Sequence, residues 1–256
     1  MDDDRAALLE RLVDICHRLS ARGFVTATDG NVSVCLPGGT ILTSRSGVNK
    51  GMLTARDFLE VSFDGTIVKG EGKVSTELGM HLEIYRQRPD VKAVVHAHPP
   101  TATGFAVARV PLDGCVLPEV IVGLGAIPLA RYATPSTPEV AASIARLTKL
   151  SSAILLANHG VVTFGGDLLD AYFKMEKVEH AAQIILVARM LGGEHRLTLS
   201  ELDRLRHVSV ESYGKDLAGV VPCSPAGRAS RVQKGTKRAR ASSETFRKTR
   251  STKPRR

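Results

Sequence analysis

The chain has 256 residues and no uninterrupted apolar run of about 18, so no membrane-spanning helix and no membrane partner are expected. Its opening Met-Asp-Asp-Asp-Arg is too acidic for a secretory signal peptide. The four cysteines, Cys16, Cys35, Cys115 and Cys223, are scattered, and none forms a Cys-x-x-Cys pair. Disulfides are not implied by that spacing, and a reducing, cytoplasmic setting fits best. Acidic and apolar residues are both scarce in 228–256, where twelve Lys and Arg face the single acid Glu244. This segment carries +11 of a total of +9, which leaves −2 for residues 1–227. A segment so basic and so poor in apolar residues is expected to be a disordered tail. It could make weak, nonspecific polyanion contacts, but a solvated extension is the preferred reading. Residues 1–227 are long enough for one domain with a real core.

Hydrophobic spacing outlines that domain. Residues 2–22 carry an apolar stripe (Ala7, Leu8, Leu12, Ile15, Cys16, Leu19) that ends at Gly23, a helix with its stop signal. Pro37-Gly38-Gly39 and Asp64-Gly65 mark hairpins, the second between strands at 59–63 and 66–69. After His98 a helix is expected at 101–108, then short strands at 116–122 and 126–129. Ser136, with a proline in the first turn and Glu139 three residues on, is the cap expected for a helix reaching Leu147. The longest helical pattern is 167–191, with Leu168, Ala171, Tyr172, Met175, Val178, Ala182, Ile185 and Leu186 on one face and His180 read as structural. Ser200 is expected to cap a last helix.

The chemistry concentrates in residues 75–98. Ser75 is a candidate cap for an amphipathic helix that Pro89-Asp90 breaks. A strand rich in β-branched residues then runs into His96-Ala97-His98. Residues two apart on a strand share a face, so His96 and His98 point the same way, as two ligands of one ion must. His159 follows the apolar run 153–157 and is a plausible third nitrogen for a zinc site. Alone, a His-x-His pattern also suits ordinary core or surface histidines. Glu77 opens the helix that feeds the His96 strand, so it can approach that site. Two polar loops, 26–31 and 43–47, have no chemistry of their own beyond small, turn-forming residues that can offer donors to an anion.

In this order, Thr28-Asp29-Gly30-Asn31-Val32-Ser33, Ser46-Gly47, Ser75-Thr76-Glu77, His96-Ala97-His98 and Asn158-His159-Gly160 resemble the class II aldolase/adducin-head family, and within it the L-fuculose-phosphate aldolase-like members. The resemblance runs from about the first helix to Gly192. It implies an α/β fold, three layers α/β/α around a central, mostly antiparallel mixed sheet; strand–helix alternation alone would also allow a doubly wound sheet. It implies Zn2+ or another divalent metal on His96, His98 and His159, with Glu77 as acid/base and resting ligand. It implies a substrate phosphate on Asn31, Ser46, Gly47, Ser75 and Thr76, with Thr28 and Gly30 in support. Ser75 and Thr76 at a helix start suit an anion on physical grounds too. A cyclic homotetramer with sites between subunits is also implied, and the 167–191 helix could serve its packing. Two departures stand out: the second loop is one residue longer, with Arg45 in it, and Glu119 replaces a tyrosine proton donor.

The implied function is a zinc-dependent lyase that splits a ketose 1-phosphate such as L-fuculose 1-phosphate into dihydroxyacetone phosphate and an aldehyde. A sugar-phosphate epimerase, dehydratase or decarboxylase is the alternative within the family. A non-catalytic adducin-like interaction module is the alternative outside catalysis, and the retained Glu77 and three histidines count against it. A Glu77 that moves protons needs a pKa nearer neutrality, which partial burial would supply.

Overall fold

The structure, a computed structural model, describes residues 2–214 and Cys223; the tail expected at 228–256 lies outside them. In chain order the elements are α1 (Asp2–Ala21), β1 (Asn31–Cys35), β2 (Ile41–Ser44), β3 (Phe58–Val61), β4 (Ile67–Lys69), α2 (Leu78–Gln87) and β5 (Ala93–Ala97). There follow α3 (Pro100–Val107), α4 (Pro118–Gly123), β6 (Leu129–Ala130), α5 (Pro138–Thr148), β7 (Ala153–Leu156), β8 (Gly160–Gly165), α6 (Leu168–Met190) and α7 (Leu199–Tyr213).

The eight strands form one sheet in the order β4-β3-β2-β1-β5-β8-β7-β6. Every neighbouring pair is antiparallel except β6 and β7, which run parallel. The period-2 alternation divides the core in two. Val32, Val34, Ala93, Val95, Ala97 and Val161 pack with α1, α3 and α6 on one face. Val94, Ile154, Leu156, Val162 and Phe164 pack with α2 and α5 on the other. The architecture is therefore the expected three-layer α/β/α with a mostly antiparallel mixed sheet. Among the described residues no helix is long and apolar enough to cross a membrane.

Several local expectations are corrected. The apolar stretch 116–122 forms no strand: Pro118, with its fixed φ, starts helix α4, and Ile121 alone of that helix is buried. Of 126–129, only Leu129 joins the sheet, and the strand continues to Ala130. Helix α2 starts at Leu78 with Glu77 at the N-cap position, so Ser75 does not cap it. Thr137 rather than Ser136 caps α5, and Thr198 with Glu201 makes a capping box on α7 in place of Ser200. Leu186, expected on the buried face of α6, is exposed.

The cysteine expectation is overturned. Cys115 and Cys223, 108 residues apart, form a disulfide. They meet in a small apolar cluster with Ile121, Ala126 and Leu202. Pairing is set by where α4 and α7 bring the chain, not by spacing along it, so the scattered cysteines carry no argument for a reducing compartment. Cys16 and Cys35 are free.

Candidate metal and anion site

The site lies at one end of the central strands, on the α2 face. His96 is the last-but-one residue of β5, flanked by Asn31 of β1 and Val162 of β8. It is fully buried. Its Nδ1–H donates to the Val161 carbonyl at 2.9 Å, which fixes the tautomer and leaves the Nε2 lone pair for the site. His98 follows the strand; its backbone N–H donates to the Phe24 carbonyl at 2.8 Å. His159 sits in the tight turn between β7 and β8, where Asn158 takes a left-handed φ of 56°. A Cβ on Gly160 would lie 2.5 Å from His98 Cδ2 and 2.6 Å from the Ala97 carbonyl oxygen, so only glycine lets the turn pass this close to His98. A Cβ on Gly30 would likewise meet the His96 carbonyl oxygen at 2.9 Å, with φ at 72°. Gly30 is thus required to bring its loop against the histidine strand.

The three rings converge with centroids 4.7, 5.0 and 5.2 Å apart. His96 and His98 Nε2 are 3.2 Å apart. Glu77 completes the group: its Oε2 is 3.3 Å from His96 Nε2 and its Oε1 is 2.9 Å from His159 Nε2. Glu77 Oε1 is buried, and beyond that approach to His159 Nε2 it has no partner among the described residues. Three imidazole nitrogens whose candidate ligand atoms lie within 4.8 Å of one another, beside a buried carboxylate, form a group that could hold a divalent metal ion. The four residues expected to hold a metal fit it.

The electrostatics agree in part with expectation. Burial pushes the His98 pKa down to about 4, helped by His96 and His159, so the ring is neutral at pH 7 as a ligand must be. Glu77 is a correction. Burial raises its pKa, but the charge on His96 and hydrogen bonds from His159 and His96 outweigh it, and the carboxyl is held well below the usual range rather than near neutrality.

The anion side is assembled unevenly. Asn31, buried on β1 beside His96, donates from Nδ2 to Glu77 Oε2 at 3.0 Å and to Ser75 Oγ at 3.2 Å. Its Oδ1 is buried without a partner among the described residues. Ser75 Oγ also accepts from the Glu77 N–H at 3.3 Å. A bridge between Arg45 and Val74 lays the second loop alongside the residues leading into Ser75. The Ser46 N–H there donates to the Lys73 carbonyl, and Ser46 and Gly47 are exposed. Thr76 Oγ1 lies 2.7 Å from Ser136 Oγ, and Ser136 is held at φ 65°. Thr28 is exposed on the first loop. Arg45 Nε pairs with Asp57 at 2.8 Å. Glu119 stands apart from the histidines and lines a cavity of ≈ 700 Å³ with Arg22, Phe173, Glu176, Lys177 and the exposed His180.

Three contributors had no sequence signal. Buried Glu179 of α6 accepts the backbone N–H groups of Thr101 at 3.0 Å and Ala102 at 2.8 Å, which anchors α3 directly after His98. Fully buried His81, one turn after Glu77, accepts or donates at Nδ1 to Ser33 Oγ, which in turn meets the Tyr85 hydroxyl. Lys50 is buried behind the two polar loops.

Comparisons with known proteins agree with this fold. The family described as Class II Aldolase and Adducin N-terminal domain matches residues 10–186. A 3-oxo-tetronate 4-phosphate decarboxylase of Escherichia coli is 34% identical over 206 residues, 78% of this chain and 95% of that protein. An L-fuculose phosphate aldolase of Methanococcus maripaludis is 34% identical over 176 residues, 69% of this chain and 94% of that protein. The solved structure of an L-fuculose 1-phosphate aldolase superposes with a TM-score of 0.72 at 31% identity, covering 77% of this chain and 93% of that one. With more than two thirds of its length matched, this chain belongs to the class II aldolase and adducin N-terminal domain family.

Proposed function

We propose that the protein is a zinc-dependent lyase that breaks a carbon–carbon bond next to the carbonyl of a sugar phosphate, with a ketose 1-phosphate as substrate and dihydroxyacetone phosphate plus an aldehyde as products. The observation that carries this reading is Glu77, held between His96 and His159 on one side and Asn31 on the other. A carboxylate in that position can move a proton at its Oε atoms to or from the substrate carbon beside the carbonyl. His96, His98 and His159, with Glu77 as a fourth ligand at rest, would hold the divalent ion, whose chemistry when bound is Lewis-acid polarisation of substrate oxygens. Asn31 fixes the Glu77 carboxylate, while Ser75, Thr76, Ser46 and Gly47, with Thr28 in support, would bind the phosphate and so orient the reacting carbons. Exposed apolar residues of α6, Leu169, Phe173, Val187 and Met190 among them, support a homo-oligomeric assembly through that helix.

One observation favours a second reading. The Escherichia coli relative is named for decarboxylation of a 3-oxo acid phosphate. That reaction also breaks a carbon–carbon bond next to a carbonyl and also leaves a carbanion that needs a proton, so the same residues would serve it. A non-catalytic, adducin-like module has no use for Glu77 beside three histidines. The deciding experiment gives the zinc-loaded protein a panel of ketose 1-phosphates and a 3-oxo-tetronate 4-phosphate. Dihydroxyacetone phosphate released from the first group supports the aldolase; carbon dioxide from the second with no cleavage of the first replaces it with the decarboxylase.

A further inference from the structure

Behind the two polar loops lies a cation that the proposed reaction does not yet use. Lys50 is 1% exposed, among the largest fully buried side chains. Its Nζ donates to the Val48 carbonyl at 2.9 Å and to the Thr28 carbonyl at 3.3 Å. Thr28 belongs to the first loop, and Val48 is the residue that directly follows the second. Both loops turn through left-handed residues, Ala27 and Gly30 in the first and Gly47 in the second. The ammonium draws the two carbonyls inward, while Thr28, Ser46 and Gly47 stay exposed on the outer side.

A buried ammonium is costly unless an opposite charge compensates it. Among the described residues none is bonded to it. Cys16 is buried beside it, but burial pushes that thiol up to about 12, so it stays neutral. Asp29 acts on it through space, and its carboxylate lies 3.7 Å from His98 Nδ1. Burial holds Lys50 below its ordinary range, against the pull of Asp29. Two carbonyls are its hydrogen-bond partners, and Asp29 offsets its charge only through space.

We propose that Lys50 is a positioning residue for the anionic end of the substrate: it ties the two loops together through their carbonyls and supplies the buried positive charge that a phosphate on those loops neutralises. This rests on the sugar-phosphate reading above. It adds a specificity element, since a neutral substrate of the same shape gains nothing from the buried charge.

The test uses inorganic phosphate as probe and calorimetry on the zinc-loaded full chain, comparing wild type, Lys50→Gln and Lys50→Arg. Glutamine keeps a donor for one carbonyl and loses the charge; arginine keeps the charge. Lys50→Gln should weaken phosphate binding about tenfold to a hundredfold, in the range expected for a charge-assisted contact, and Lys50→Arg should recover most of it. KM for the phosphorylated substrate should rise with it while kcat changes little. A folded Lys50→Gln protein that binds phosphate as wild type does overturns the proposal. If that variant fails to fold, the 15N resonance of the wild-type Lys50 ammonium decides: its pKa should rise when phosphate is added, and no rise overturns the proposal. If wild type binds no phosphate at all, the sugar-phosphate reading has failed and takes this proposal with it, a result distinct from loss confined to the Lys50 variants.

Discussion

The histidine corner and the loop corner of the site are built in opposite ways. At the histidine corner the side chains stand on strand ends and in a two-sided turn, and their second nitrogens, backbone or neighbours are pinned: His96 to Val161, His98 to Phe24, Gly160 against His98. At the loop corner Thr28, Ser46 and Gly47 are exposed, and the backbone turns through left-handed residues. Asn31 joins the two by bonding both Glu77 and Ser75. A metal needs its ligands in one geometry, so they belong on rigid elements. An anion accepts many donor arrangements, so loops can hold it and can change with the substrate. If the proposed function holds, the corner that sets the reaction is the pinned one, and the corner that sets the substrate is the exposed one.

The contrast can be broken most severely at the histidines. Changing His96, His98 or His159 singly to Ala should remove most of the bound zinc and nearly all activity; stoichiometric metal in any one of the three variants, measured by elemental analysis, contradicts the rigid-corner account. Gly160→Ala comes next. The added methyl has no room, and the strain of overpacking should cost about 1–3 kcal/mol in denaturant unfolding together with weaker metal binding. Wild-type stability there would mean that the turn yields and the corner is not rigid.

Asn31→Ala should affect both corners at once, lowering kcat and raising KM for the phosphorylated substrate by about tenfold each, the size expected when a bond to a charged group is lost. A change in KM alone would place Asn31 in the loop corner only. His81 provides a pH signature. Burial depresses its pKa from 6.5 to about 3, so as pH falls below 6.5 the unfolded chain takes up the proton first. Its contribution to stability is complete above pH 6.5 and is lost progressively toward pH 3. His81→Gln should flatten the fall of stability across that window, read from urea melts at several pH values; an unchanged slope would remove His81 from the account. The smallest effect is expected from deleting residues 228–256, which should leave melting temperature and turnover almost unchanged, with a large fall in either showing that the tail supports the domain.

Much of the rigid corner was legible in the sequence because strand periodicity is a strong signal. His96 and His98 two apart on a β-branched run had to share a face, and the helix before them had to carry Glu77 toward them. His159, remote in sequence, was only a plausible partner until the family resemblance supported it, and the antiparallel order of the sheet rested on that resemblance alone. The loop corner offered only small polar residues, which any loop contains. Lys50, His81 and Glu179 were invisible because a single lysine, histidine or glutamate within an ordinary stretch has no pattern, and its role appears only when distant backbone groups meet it. Residues 116–122 misled because valine and isoleucine suit strands, whereas Pro118 selected a helix. The Cys115–Cys223 pair is a property of tertiary contact and leaves no trace in spacing.

The most direct test is turnover of a zinc-loaded Glu77→Gln protein. The amide preserves shape and removes the proton-moving carboxylate. Turnover should fall about a hundredfold to ten-thousandfold, the usual contribution of general acid–base catalysis. KM should change far less, and excess zinc should not restore the rate. Full activity in the metal-replete variant would contradict the role of Glu77 and the mechanism built on it.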